Sequence, residues 1–228
     1  MLRPRHIPAM THCNNSIMDN RSFPVHLDSG EPVLVRPIGR HDAGRMRAGI
    51  AALTDHSRYL RFFNGGQTMP ECVIERLCDA DGWKHIAWGA IDLASPGEPA
   101  IGAVHAIRKG TSCDAELALA VLDDWHGKGL ARLLLTCVMA DARRAGITHL
   151  TAETFAENRA ARQLLRSLGG LSVHRDGPVV SYRFDIETAA QKLEGLTQTA
   201  AGEVIRAGVK QAAPAQSLGP PVRVRRSV

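Results

Sequence analysis

The chain has 228 residues, 44% hydrophobic and 22% charged, with a formal net charge of +5. That balance excludes a disordered chain and suits one globular domain of ordinary size with tails. No apolar run approaches the roughly 18–20 residues of a membrane-spanning helix, and no apolar core follows the basic N-terminus, so neither a membrane anchor nor a secretory leader is expected.

Residues 1–24 lack periodicity and read as a flexible leader, residues 25–186 as the folded domain, and residues 187–228 as a mostly disordered basic tail with a short helix near 189–196. Within the domain, residues 32–36 (PVLVR) form a strand. A helix is expected over 40–53, with Asp42 favouring its first turn, and another over 70–78, opened by Pro70. Residues 84–93 and 100–108 read as strands separated by Ser95-Pro96-Gly97. Residues 114–121 (DAELALAV) alternate as a further strand, followed by Gly127-Lys128-Gly129.

Leu130, Leu133, Leu134, Cys137 and Val138 then line one helical face. Asp141 interrupts that stripe, so the last turn before Gly146 is expected to be less buried. Residues 147–153 form a strand and 158–168 a helix stopped by Gly169-Gly170. Residues 179–185 form the closing strand. The order is that of an α/β domain, antiparallel strands first and a strand–helix–strand crossover after.

Five cysteines, at 13, 72, 78, 113 and 137, are odd in number and scattered, with no C-x-x-C pair. They fit a reducing, cytoplasmic compartment rather than a disulfide framework or a zinc site. The histidines show no ligand spacing, so no metal is expected. The basic tail (Lys210, Arg223, Arg225, Arg226) has no interleaved aromatics, which makes nucleic acid an unlikely partner and a solvated tail the plainer reading.

The Gly-Lys-Gly turn carries the chemistry. A helix N-terminus leaves backbone N–H groups unpaired at the positive end of the macrodipole. Glycines there let an anion reach the backbone, and Lys128 adds charge at the rim. A tight loop using glycine for geometry alone is the alternative. The segment is neither the nucleoside-triphosphate loop, since Gly129 follows Lys128 where Ser or Thr belongs, nor the three-glycine dinucleotide fingerprint.

Residues 126–131 (HGKGLA) do resemble the [QR]-x-x-G-x-[GA] signature of the GNAT superfamily of acyl-CoA-dependent N-acetyltransferases. The resemblance continues through AELALAVLDDWHGKGLARLLL and through ENRAARQLL, and covers about residues 25–186. LDSG, RPI and SRYLRFF upstream resemble the catalytic domains of bacterial protein-lysine acetyltransferases. The implied fold is a mixed, mainly antiparallel twisted sheet flanked by helices on both faces. The implied reaction is attack of an amine, most simply a protein lysine, on acetyl-CoA. A small-molecule amine acceptor and a non-catalytic acyl-CoA-binding module are the alternatives, and the oligomeric state is left open.

The same resemblance implies site residues. Glu116, in A-E-L-A, would be the general base, sharing a strand face with the small residues Ala118 and Ala120. Backbone groups of Leu119, Ala120 and Val121 would pair with the pantetheine arm. His126, Gly127, Lys128, Gly129, Leu130 and Ala131 would cradle the pyrophosphate, and Asn158 would lie near the pantetheine, or serve as a plain N-cap. Three positions depart from the pattern: His126 replaces Gln or Arg, Gly170 replaces an aromatic, and Leu165 stands where many members carry a tyrosine acid. Related domains use the loop of Arg61, Phe62 and Phe63 near the acceptor site; the plainer reading has Arg61 facing solvent with Phe62 and Phe63 plugging the core, and His85 and His105 are expected to be hydrogen-bonded structural residues. Asp123 and Asp124 are expected to shape the loop with their side chains turned away from an anion.

Overall fold

The structure, a computed structural model, describes residues 21–63, 69–196 and 202–204. Its strands are β1 Phe23–His26, β2 Pro32–Pro37, β3 His85–Asp92, β4 Ala100–Arg108, β5 Asp114–Val121, β6 His149–Phe155, β7 Leu171–Asp176 and β8 Val179–Asp185. Its helices are α1 Ala43–Ala52, α2 Asp55–Phe62, α3 Glu71–Cys78, α4 Leu130–Arg144, α5 Arg159–Ser167 and α6 Ile186–Leu196.

The strands form one sheet in the order β1-β2-β3-β4-β5-β6-β8-β7. Every neighbouring pair is antiparallel except β5 and β6, which are parallel and joined by α4. This is the mixed, mainly antiparallel sheet expected from the sequence. Strand alternation divides its side chains between two cores. On one face Val33, Val35, Trp88, Val104, Leu117 and Leu150 meet the apolar stripe of α4. On the other, Ile38 and Ala87 pack with Met46, Ile50, Ile74 and Cys78 from α1 and α3.

The stripe of α4 is wider than the sequence suggests. Leu135, Met139 and Ala142 are buried along with the expected Leu130, Leu133, Leu134, Cys137 and Val138, because α6 packs against α4 as well. Asp141 does not leave the last turn exposed. It is itself buried, its Oδ2 accepting from the Trp88 indole N–H at 3.0 Å and from Arg21 at 3.0 Å, and its Oδ1 accepting from Arg144 at 3.2 Å. A carboxylate with three donors can sit inside a core that would reject a bare one.

Two expected boundaries move. β1 starts at Phe23, inside the segment read as leader, because Phe23 is buried and stacks on Trp88 with ring centroids 5.9 Å apart. The boundary expected at residue 187 falls inside α6, whose Ile186, Ala189 and Leu193 recur along one face and are buried. The rest of both terminal expectations, over 1–20 and most of 197–228, lies outside the described residues.

Removing the Asp141 carboxylate takes the acceptor from the buried Trp88 indole N–H and one partner from each of two arginines. Asp141→Ala is expected to cost about 3 kcal/mol, the range for breaking a buried ion pair from one side. The check is a fall in the urea midpoint with an unchanged m-value.

Candidate active site

The site begins where β5 and β6 part. Their parallel pairing covers only Asp114, Ala115 and Glu116 against His149, Leu150 and Thr151. Beyond it β6 continues along β8 and β5 along β4, each in register to its end. Residues 117–121 therefore turn one backbone edge toward β6 with no strand on it. Leu119, Ala120 and Val121, expected to hold the pantetheine arm, lie on that edge.

Side chains on β5 alternate across the opening. Leu117 and Val121 are buried with α4. Glu116, Ala118 and Ala120 face the other way, toward α1 and α2, and Glu116 is exposed. The shared face inferred from alternation is thus the face of the structure. A cavity of about 70 Å³ opens on it, its walls including Arg61, Phe62, Gly102, Ala103, His105 and Ala120.

Arg61 does not face solvent as expected. It is half-buried in the cavity wall with its guanidinium 4.8 Å from the Phe62 ring, and among the described residues it has no hydrogen bond or ion pair. Burial pushes its pKa down to about 10 against the pull of Glu116, so it stays a cation. Phe63 is not a core plug either. It sits at φ 55°, 41% exposed, and its ring meets Phe155 at 4.8 Å, beside a Tyr59–Phe155 stack at 4.7 Å. These aromatics close the far end of the splay with α2.

The expected structural histidines are joined to each other. His85 Nε2 and His105 Nδ1 lie 2.9 Å apart. His105 is fully buried, and burial, with the Arg61 and His85 charges nearby, holds it well below the usual imidazole range.

The turn after β5 is a single 3₁₀ turn, Asp123–Trp125, then the glycine pair. Gly127 and Gly129 sit at φ 77° and 83°, the left-handed region, with nothing within 4 Å of an added Cβ. Conformation, rather than crowding, is what demands glycine here. Gly129 is the N-cap of α4 and offers no side chain. Among the described residues no acceptor takes the backbone N–H of Gly127, Lys128, Gly129, Leu130 or Ala131. These five donors stand at the positive end of a fifteen-residue helix, a geometry suited to cradle an anion.

The side chains of the turn are used internally. The His126 ring donates from Nε2 to the Val121 carbonyl at 2.9 Å, closing the turn onto β5. Lys128 is not a free rim charge. Its Nζ lies 2.6 Å from Glu31 and 4.9 Å from the Trp125 ring centroid. Asp123 points away from the cradle, its carboxylate accepting from Ser57 Oγ at 2.7 Å and Thr54 Oγ1 at 3.2 Å at the start of α2.

Asn158 is the N-cap of α5, its Oδ1 accepting from the Ala161 N–H at 3.0 Å. Leu165 is buried in the core. Gly170 has no room for the family's aromatic, since a Cβ there would lie 2.7 Å from the Leu165 carbonyl. Sequence reasoning missed the His85–His105 contact and preferred a solvent-facing Arg61 to one near the acceptor site. Strand pairing could have suggested the first, because Ile107 is opposite both His85 and Glu116, which places His105 diagonal to each.

A sheet whose single parallel pair splays beside a free helix N-terminus is the frame of an acyl-CoA-dependent acyltransferase. A family model, the acetyltransferase (GNAT) domain, matches residues 33–170. The chain is 27% identical over 165 residues to acetyltransferase Pat of Mycolicibacterium smegmatis, covering 72% of this chain and 49% of that protein. It is 31% identical over 146 residues to acetyltransferase PA5475 of Pseudomonas aeruginosa, covering 63% of this chain and 77% of that protein. Among solved structures, the GNAT domain of S. lividans PAT matches with a TM-score of 0.65 at 26% identity, over 73% of this chain and 98% of that one. The chain thus spans about half the length of the M. smegmatis relative. It belongs to the GNAT acetyltransferase family and is an acyltransferase.

Lys128 above all, with Ser29 helping, holds the Glu31 carboxyl down at about 2. A depressed carboxylate contributes stability above its unfolded value and loses it as pH falls toward its folded one. Lys128→Gln is expected to return Glu31 toward the ordinary carboxylate range, read by carboxyl-carbon NMR titration between pH 2 and roughly 5.

Proposed function

We propose that this domain transfers an acetyl group from acetyl-CoA to an amine, and that the acceptor is a protein lysine. The observation that carries this is the opening beside β5, with the anion cradle at one end and Glu116 on the face opposite α4. The pyrophosphate would rest on the free N–H groups from Gly127 to Ala131. The pantetheine arm would lie along the strand-free edge at Leu119, Ala120 and Val121, as an added strand does, with the Val121 carbonyl already taken by His126. A backbone N–H on that edge would steady the oxyanion as the amine attacks the thioester carbon. Asn158 is the N-cap of the neighbouring helix, and its remaining hydrogen-bond capacity is available to the arm.

A lysine side chain carries a pKa near 10.4, so it arrives protonated and must lose that proton before attack. Glu116 is exposed on the acceptor side and is the base in this reading. Arg61 bears on the acceptor class. A fixed cation in the cavity wall lowers the pKa of an approaching ammonium. It also disfavours a second positive charge deep in the site, which sets a polyamine below a lysine. No helix among the described residues is long and apolar enough to cross a membrane.

Calorimetric titration with acetyl-CoA, followed by thiol release on a panel of proteins and small amines, tests the proposal. Binding with release on proteins is the expected result; release confined to small amines would move the acceptor class. Glu116→Gln is expected to lower turnover by about 10²–10⁴ with acetyl-CoA affinity little changed. An unaltered rate removes Glu116 from the mechanism. Gly129→Glu, which adds a like charge and a strained φ to the cradle, is expected to abolish acetyl-CoA binding in the same calorimetric assay.

A further inference from the structure

One pair of titratable groups has no part in the chemistry above. His105 lines the cavity and is bonded on its other side to His85, which is half-buried at the first residue of β3. Burying an imidazole beside a cation is unfavourable for its charged form. His105 is nevertheless placed between the acceptor cavity and a residue that reaches solvent.

The 2.9 Å contact between His85 Nε2 and His105 Nδ1 requires one ring to donate to the other. In the arrangement in which His85 carries its N–H on Nδ1, His105 donates from Nδ1, which leaves its own Nε2 without a hydrogen. That nitrogen has no protein partner among the described residues, and its ring forms part of the cavity wall. Glu116 is on the same face, diagonal to His105 across the β4–β5 register.

We propose that His105 and His85 are the proton path from the acceptor ammonium to solvent, a role that rests on the acetyltransferase reading. The ammonium N–H breaks and a bond forms at His105 Nε2, directly or by way of the Glu116 carboxylate. The His105 Nδ1–H bond breaks as His85 Nε2–H forms. The His85 Nδ1 proton then passes to water. One proton has crossed and both rings have exchanged tautomer. When product leaves and water enters the cavity, the reverse hop restores them with no net gain. The neutral amine attacks the thioester, and the second proton lost from the nitrogen balances the CoA thiolate.

The charges around the path suit transit rather than storage. Arg61 of α2 stands beside His105, Arg45 of α1 and the Arg36–Asp42 pair line the cavity farther on, and Glu116 lies on β5. Asp81 and Asp79 stand beside His85 and raise its affinity for a proton relative to His105. A proton on the inner ring is driven outward by this arrangement.

The test uses thiol-release kinetics of the full chain between roughly pH 6 and 9.5, where lysine titrates upward. His85→Ala is expected to lower kcat/KM for a lysine peptide by about 10²-fold at pH 7. The deficit should shrink as pH rises and free amine accumulates, and added imidazole should restore the rate. His85→Gln, which keeps a hydrogen bond to His105 but cannot relay, should show the same deficit. Neither variant should be slowed toward an alkoxyamine acceptor, which is already neutral at pH 7. A wild-type rate in both variants overturns the path. So does a deficit that is independent of pH, insensitive to imidazole and equal for both acceptors, which is the mark of a structural role. A wild-type protein that releases no CoA with any acceptor overturns the acetyltransferase reading itself, and the path with it.

Discussion

The structure depends on a parallel strand pairing that is allowed to fail. β5 and β6 share three residue pairs and then separate, each held by the antiparallel neighbour on its far side. An unpaired strand edge inside a protein is ordinarily a defect, because backbone N–H and C=O groups need partners. Here the defect is kept open by the length of β4 and β8 and by the Tyr59, Phe63 and Phe155 rings at its far end. The opening makes the two faces of β5 differ. One face anchors α4, whose N-terminus carries unpaired backbone N–H groups. The other carries Glu116, Ala118 and Ala120.

The two sites are also bound together. Asp123, in the turn that leads to the cradle, accepts from Thr54 and Ser57 at the start of α2. That helix carries Arg61 and Phe62 into the cavity wall. The carboxylate is held below its ordinary range chiefly by Ser57, so the link persists through neutral pH. β5, the turn that follows it and the cavity wall are therefore a single connected frame.

Most of this frame could be read from the sequence, because it rests on periodicity. β4, β5 and β8 match their expected spans residue for residue, and α4 and α5 start one residue after the expected glycine and asparagine, which are their N-caps. What escaped lacks a period. α2 buries no residue and its polar face dominates its composition. β7 is exposed along its whole length, so no alternation marks it. Asp141 looked like a break in an apolar stripe because its partners, Trp88 and Arg21, lie 53 and 120 residues away. Lys128 looked free for the same reason, with Glu31 lying 97 residues upstream. Pairings across such separations leave no local trace. The glycine turn was legible as the link from strand to helix, though the reason for its glycines was not.

That reason bears on how the turn can change as sequences drift. At 127 and 129 neighbouring atoms impose no clash, and backbone conformation alone imposes the requirement. The acceptable substitutes are few, glycine first and asparagine a distant second. His126 and Lys128 are constrained differently. Their partners are the Val121 carbonyl and the Glu31 carboxylate of the same chain, so a loss at Lys128 can be answered by a change at Glu31. The hexapeptide from His126 to Ala131 therefore mixes two kinds of position: those whose identity is dictated by dihedral angle, and those free to change in step with a companion elsewhere.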